Sequence, residues 1–170
     1  ACWDILGQYL KVPIYQLLGG KVRDKIKVYA NGWYSGERSP ENFAEKAKFL
    51  SNKGYQALKF DPFGSEHLRL NKESETFIKK IIRSVRDAVG PNVELMIEGH
   101  KRFDVFEAIK ISKWLDDFDV TWFEDPIDNN DIDSLIYVSK NSPVRIIAGE
   151  GFDKYKDFTR FASSNATDIV

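Results

Sequence analysis

The chain has 170 residues, of which 42% are hydrophobic and 30% are charged, and its formal net charge is −1. It therefore lacks the basic excess by which nucleic-acid-binding domains attract phosphates. The single cysteine, Cys2, excludes an internal disulfide, and no apolar run approaches the ~18 residues of a membrane-spanning helix. With no signal peptide at its start, we expect a soluble protein of a reducing compartment, the cytoplasm, with neither nucleic acid nor a membrane as partner.

The first 24 residues predict two helices, and a regular alternation follows them. Apolar residues at helical spacing up to Leu10 form the first helix, and a short helix after Pro13 ends at Gly19 and Gly20. Later runs rich in β-branched and aromatic residues predict strands, and each is followed by a segment with a helical apolar stripe. The predicted strands are 26–30, 57–60, 93–97, 120–123 and 145–148.

Two of the helices in this alternation have clear start signals. Ser39 followed by Pro40 supplies an N-cap and a proline at the first helical position. Asp104, with Glu107 three residues later, predicts a capping box.

The alternation amounts to five strand–helix units plus the start of a sixth strand at 168–170. It predicts an α/β fold with a parallel sheet and right-handed crossovers, as in part of a TIM (β/α)8-type barrel. An open doubly wound sheet is the alternative, but no glycine-rich dinucleotide or phosphate loop follows the first strand. Because the chain opens inside a helix and stops at a strand, we expect it to be a piece of a longer protein.

Three glutamates end three of the predicted strands at equal intervals. Glu98, Glu124 and Glu150 lie 26 residues apart, which is the length of one strand–helix unit. Consecutive strands of a parallel barrel end side by side at the face that carries active sites, so the three carboxylates are expected to converge. Carboxylates that converge on one point repel one another, and the usual remedy is a hard cation such as Mg²⁺ bound between them. The spacing therefore predicts a metal site.

Candidate catalytic residues lie beside these acids. His100 comes two residues after Glu98, and in an extended chain the two side chains would point to the same side; imidazole is the natural proton carrier at neutral pH. The alternative is an ordinary loop histidine. Lys59 and Asp61 form a similar pair at another strand end, where Lys59 can meet a substrate carboxylate and Asp61 can act as an acceptor or base. Their alternative is a structural ion pair.

Five further residues have less definite interpretations. Lys101 and Arg102 follow His100 and can steer an anionic substrate, or they can simply be solvated. Trp33 and Tyr34 follow the first predicted strand, where they can cover a pocket or contribute to packing. His67 lies on a polar stretch and is interpreted as a loop residue or a substrate contact.

At these positions the chain resembles the enolase superfamily, in its mandelate racemase-like subgroup. Segments 3–7 and 17–20 are similar to the helix and turn that lead into the family's barrel. Glu98, Glu124 in Phe-Glu-Asp-Pro and Glu150 in Ala-Gly-Glu match the family's three Mg²⁺ ligands. Within the subgroup, three segments are most similar to sugar-acid dehydratases of the gluconate and galactonate type; these are 28–34, 57–64 and 97–103.

The resemblance implies a domain organisation and a reaction. Residues 1–24 would be the last helices of a capping region, and residues 25–170 the N-terminal part of the barrel. The reaction would be Mg²⁺-dependent dehydration of an aldonic acid, with His100 as the general acid and a base beyond Val170. The full-length protein would be a homo-oligomer that binds a small sugar acid. This chain alone would be inactive, since it holds fewer than the eight strands of a closed barrel.

Two positions depart from the pattern of the subgroup. Asp61 stands where racemases and cycloisomerases usually have the second lysine of Lys-x-Lys, which argues against those reactions. Glu98 stands where many relatives have aspartate, which keeps the charge and lengthens the side chain. Two alternatives stay open: another reaction of the superfamily, namely racemisation or cycloisomerisation, or a non-catalytic α/β fragment whose acids are surface groups.

Overall fold

A computed structural model describes residues 1–169. Helices and strands alternate along the chain after two N-terminal helices. In chain order the elements are α1 (Cys2–Leu10), α2 (Ile14–Leu17), α3 (Pro40–Asn52), β1 (Ala57–Phe60), α4 (Lys72–Val89), β2 (Glu94–Glu98), α5 (Val105–Asp116), β3 (Val120–Glu124), α6 (Ile132–Asn141), β4 (Arg145–Ile147) and α7 (Tyr155–Ser164). None of the helices among these residues combines the length and apolar character needed to cross a bilayer.

The four strands form one parallel sheet in the order β1-β2-β3-β4, so neighbours in sequence are neighbours in space. Leu58 is paired with Leu95, Ile97 with Phe123, and Phe123 with Ile146. These side chains are completely buried and form the centre of the core. The register also brings the carboxyl ends of the strands to one edge, which is where the candidate site lies.

The helices begin and end where their capping residues allow. The Ser39 side chain accepts a hydrogen bond from the backbone N–H of Asn42, with Pro40 in the first helical position, as predicted. Asp104 likewise caps α5 by accepting from the backbone N–H of Glu107. The predicted capping box is only half formed, because the Asp104 N–H donates to the carbonyl of Leu68 and not to Glu107.

The predicted strand at 26–30 does not form, which corrects the count of strands. Only Ala30 pairs with β1, as an isolated bridge to Leu58. Ile26 and Val28 are 79% and 66% exposed, so these two side chains lack the apolar cover of a strand in a core. β-Branched residues favour a strand only where neighbouring strands and a core face complete it. At the other end, Ile169 bridges Ile147 as the predicted sixth strand requires, while Val170 lies outside the described residues.

Aromatic packing closes the core next to β1. Trp33 lies against Phe43 and Phe60 with ring centroids 6.0 and 5.3 Å apart, and Tyr34 stacks on Phe43. The packing interpretation of Trp33 is therefore confirmed. Tyr34 is half-buried beside Asp61, and its pKa is raised because burial and the nearby carboxylates disfavour the phenolate.

Candidate active site

Two of the three predicted metal ligands meet at a lysine. Glu98 and Glu124 are the last residues of β2 and β3 and lie opposite each other in the sheet register. Lys59, on β1, places its Nζ 3.0 Å from Glu98 Oε2 and 2.7 Å from Glu124 Oε1. The three side chains are no more than 13% exposed. The two acids therefore already share one cation, the ammonium of Lys59.

The charges of this cluster do not balance. Burial alone would lower the pKa of Lys59, but its hydrogen bonds to Glu124 and Glu98 raise that pKa above its ordinary value, so the ammonium stays charged. The pKa of Glu98 is raised by burial and by the charge of Glu124, although Lys59 opposes the rise. One ammonium between two carboxylates leaves one negative charge uncompensated, which is the electrostatic condition that favours a further cation.

Glu150 is placed differently from the other two acids. It lies in a turn three residues beyond the end of β4, and its side chain is half exposed. Its Oε1 is 3.5 Å from the Nζ of Lys101. Within residues 1–169, no three His, Cys, Asp or Glu side chains are grouped so as to hold one metal ion. The metal site thus stays a prediction: Glu98 and Glu124 are together, and Glu150 is paired with Lys101.

His100 is held at the same edge of the sheet by two contacts. Its Nδ1 lies 2.9 Å from Asp61 Oδ2, and its backbone N–H donates to Glu98 Oε1 at 3.0 Å. The premise of an extended chain after Glu98 was wrong, because His100 and Lys101 have φ values of 50° and 60° in the left-handed region. Such backbone is uncommon for residues other than glycine and clusters at functional sites.

Asp61 is fully engaged by neighbouring donors. Besides His100, it accepts from the guanidinium of Arg102 and from the backbone N–H of Phe63 at 2.9 Å. Arg102 also donates to the carbonyls of Gly64 and Gly99, so it ties the loop after β1 to the loop after β2. The contacts favour Asp61 as an acceptor that orients His100. Arg102 was predicted to be a steering or solvated residue, but its side chain is only 15% exposed and is structural.

Asp125 is a site residue that the sequence interpretation missed. It is completely buried directly after Glu124, with a φ of 41°. Its Oδ1 accepts from Asn129 Nδ2 at 2.9 Å and from the backbone N–H of Gly149 at 3.4 Å. Burial raises the pKa of Asp125, although the Asn129 hydrogen bond and the charge of Lys101 oppose the rise. In the sequence, Asp125-Pro126 indicated only the end of a strand.

Comparison with known proteins identifies the family to which this arrangement belongs. Residues 42–170 match the family model described as "Enolase C-terminal domain-like". The chain belongs to this family. The resemblance inferred from the glutamate motifs is therefore confirmed. The match begins inside the predicted barrel segment, so the boundary proposed between residues 24 and 25 stays a prediction.

Two curated relatives that match the whole chain are named as dehydratases of sugar acids. The chain is 39% identical to D-gluconate dehydratase of Thermoproteus tenax and covers 34% of that protein. It is 38% identical to D-gluconate/D-galactonate dehydratase of Picrophilus torridus and covers 44% of it. The chain thus spans less than half the length of these relatives.

Solved structures confirm the predicted barrel architecture. The mandelate racemase/muconate lactonizing enzyme from Jannaschia sp. CCS1 matches with a TM-score of 0.86 and 30% identity, over 96% of this chain and 45% of that chain. The protein of the same name from Sulfitobacter sp. matches with a TM-score of 0.89 and 25% identity, over 99% and 46%. Residues 1–169 form part of such a barrel and do not close it.

Proposed function

We propose that the full-length protein is a Mg²⁺-dependent dehydratase of aldonic acids, with gluconate or galactonate as substrate. The observation that carries the proposal is the buried Glu98–Lys59–Glu124 cluster, with His100 bonded to it and oriented by Asp61 at the same sheet edge. The names of the two dehydratase relatives support the substrate class. Because Glu98 is buried and the Glu124 side chain is only 13% exposed, the alternative of a non-catalytic fragment with surface acids does not fit these two residues.

The donor set suits a hard divalent cation. Glu98, Glu124 and Glu150 would hold Mg²⁺, for which carboxylate oxygen is the preferred ligand. The uncompensated charge of the Glu98–Lys59–Glu124 cluster favours such an ion, and Glu150 would have to turn away from Lys101 to join it. When bound, the cation would stabilise the negative charge that develops on the substrate carboxylate as the neighbouring proton leaves.

The residues of this chain would perform the second half of the elimination. A base that the rest of the full-length protein would supply takes the proton next to the carboxylate, the electron pair of that C–H bond forms the new carbon–carbon double bond, and the 3-hydroxyl leaves. With Nδ1 bonded to Asp61, His100 presents Nε2 to the departing hydroxyl and would give it the proton that makes it water. The resulting enol then becomes the 2-keto-3-deoxy acid.

An activity assay with matched variants tests this proposal. The full-length protein is incubated with gluconate and with galactonate, and formation of the 2-keto-3-deoxy acid is measured with EDTA and with added Mg²⁺. We expect activity that EDTA removes and Mg²⁺ restores. The H100N variant should lose at least about a hundredfold, as expected for loss of a general acid. The H67N variant should not, because His67 is an exposed loop residue whose side chain forms no hydrogen bond or ion pair among residues 1–169. Activity in EDTA, or an active H100N, would refute the proposal.

A second candidate function has one specific observation in its favour. The chain is 30% identical to D-galactarolactone cycloisomerase of Agrobacterium fabrum over its whole length, which covers 43% of that protein. Asp61 argues against a lysine base at this strand end. Incubation with a galactarolactone, followed by mass spectrometry of the product, separates the two reactions, because dehydration lowers the mass of the substrate by one water and isomerisation leaves it unchanged. The predicted cytoplasmic location and homo-oligomer stay proposals, and the oligomer is tested by light scattering of the full-length protein.

A further inference from the structure

Lys101 lies between two carboxylates that belong to different loops. Its Nζ is 3.5 Å from Asp125 Oδ2 and 3.5 Å from Glu150 Oε1. Asp125 is completely buried, whereas the side chain of Glu150 is 50% exposed. The buried Asp125 therefore holds the ammonium in place, since a buried carboxylate without a cation is strongly unfavourable. Glu150 is the more exposed partner, and Lys101 is its one ion-pair partner among residues 1–169.

The surrounding backbone leaves room for this ammonium. A Cβ atom at Gly151 would lie 2.8 Å from Lys101 Nζ, so a glycine is what allows the lysine to sit against the Glu150 turn. Lys101 itself has the left-handed φ of 60°, so the backbone at this residue no longer follows the extended course of β2. Two backbone features thus support one side-chain position.

We propose that Lys101 is an internal cation that competes with the metal ion for Glu150. The proposal rests on the proposed Mg²⁺ site. Glu150 is not grouped with the other two acids in this structure, so it must leave Lys101 in order to join a metal held at Glu98 and Glu124. Lys101 remains on Asp125 during this change. The lysine is therefore a positioning residue that keeps the third ligand paired until the metal binds, and it weakens metal affinity.

Metal titration of charge variants tests the competition directly. Mg²⁺ binding to the full-length protein, without substrate, is measured by isothermal titration calorimetry. The K101M variant should bind Mg²⁺ about two- to fivefold more tightly, the factor expected from loss of one partly exposed ion pair. The control is K154M, which removes a nearby exposed lysine that forms no ion pair within residues 1–169 and should leave the Kd unchanged.

A double-mutant comparison separates the Lys101–Glu150 pair from a general change in charge. In an E150Q background, the further change K101M should no longer tighten binding, because the partner is gone. If K101M leaves the protein unfolded, the variant K101M/D125N removes the buried charge together with its partner and should show the same two- to fivefold gain.

Each outcome of the titration decides one of the two proposals. If the unaltered protein does not bind Mg²⁺, the proposed metal site fails. If it binds Mg²⁺ and K101M shows an equal or weaker affinity, the metal site stands and the competition is overturned. A gain of the same size in K154M, or in K101M within the E150Q background, also overturns the competition, because the effect would then be one of net charge.

Discussion

Lys59 reaches across β2 to place its ammonium 2.7 Å from the carboxylate of Glu124 on β3. It meets Glu98 of the intervening strand on the way, at 3.0 Å. One side chain therefore compensates acids from two strands, and the three side chains are no more than 13% exposed. This relationship makes Lys59 a structural element of the site as well as a charged group near any substrate.

We expect replacement of Lys59 by methionine to destabilise the protein. The K59M variant leaves Glu98 and Glu124 facing each other without a cation. Breaking a fully buried ion pair costs about 3–5 kcal/mol, and at this sheet edge, which is partly open to solvent, we expect about 2 kcal/mol. Urea unfolding of the full-length protein measures the loss, and added Mg²⁺ should restore part of it by binding the freed carboxylates.

The matched control for this change is K79M. Lys79 forms its ion pair with Glu75 one helical turn away on the surface of α4, so its loss should cost less than about 1 kcal/mol. Equal effects of K59M and K79M would contradict a structural role for the buried lysine.

Gly99 is expected to tolerate no side chain, because backbone atoms surround it. A Cβ there would lie 2.9 Å from the carbonyl oxygen of Asp125, 2.9 Å from Phe123 Cε2 and 3.0 Å from Pro126 Cα. We expect G99A to lower the free energy of unfolding by about 1–3 kcal/mol, as overpacking does. It should also displace the turn that carries His100.

Gly151 supplies the comparison for this substitution. Its added Cβ would meet only the end of the flexible Lys101 side chain, at 2.8 Å, which can move aside. G151A should therefore change the midpoint of thermal unfolding much less than G99A. A neutral G99A would show that the turns after β2 and β3 are not packed as closely as in this structure.

The sequence predicted the strand ends of this site better than its side-chain contacts. The 26-residue interval follows from the repeated strand–helix unit, so it correctly placed Glu98 and Glu124 side by side. It could not place Glu150, which lies beyond its strand in a turn. That turn follows Gly149, whose φ of 128° lies in the region that glycine adopts readily, and the spacing of the strands does not give its direction.

Pairing partners explain the other differences. The segment 26–30 has the alternation of a strand, yet only Ala30 is bonded to β1. A strand needs a neighbour along its whole length, so the segment does not form one. The burial of Asp125 and the structural role of Arg102 depend on loops from different strands meeting in space. No local pattern in the sequence predicts these contacts between loops that are distant along the chain.

Glu75 predicts a specific dependence of stability on pH. Its two oxygens bind Lys79 at 2.6 Å and Lys110 at 2.7 Å, and the hydrogen bonds to Lys110 and Lys79 lower its pKa in the folded protein. A lowered folded pKa stabilises the protein above the unfolded value of about 4.3. This contribution is lost as the pH falls through the folded pKa.

The E75Q variant isolates this contribution. At pH 7 it should be less stable than the unaltered protein, by less than about 1 kcal/mol because the pair is partly exposed. Urea unfolding should show that the difference shrinks as the pH falls below the unfolded pKa of about 4.3 and through the lower folded pKa of Glu75. The E45Q variant removes an exposed glutamate without an ion pair within residues 1–169 and should show little difference at either pH. A difference that grows toward low pH would contradict this assignment.

Asp61 is expected to control the orientation of His100 and hence the rate of the proposed reaction. In D61N the amide can keep the bond from the Phe63 N–H, but it loses the charge that Arg102 and His100 Nδ1 share. We expect kcat to fall about ten- to a hundredfold, within the contribution of a well-placed general acid, while KM changes little. The imidazole ¹⁵N resonances of His100, assigned with H100N, should shift at the same time. The exposed D117N control should change neither quantity. A D61N protein with normal kcat, or one whose loss lies wholly in KM, would show that Asp61 does not act through His100.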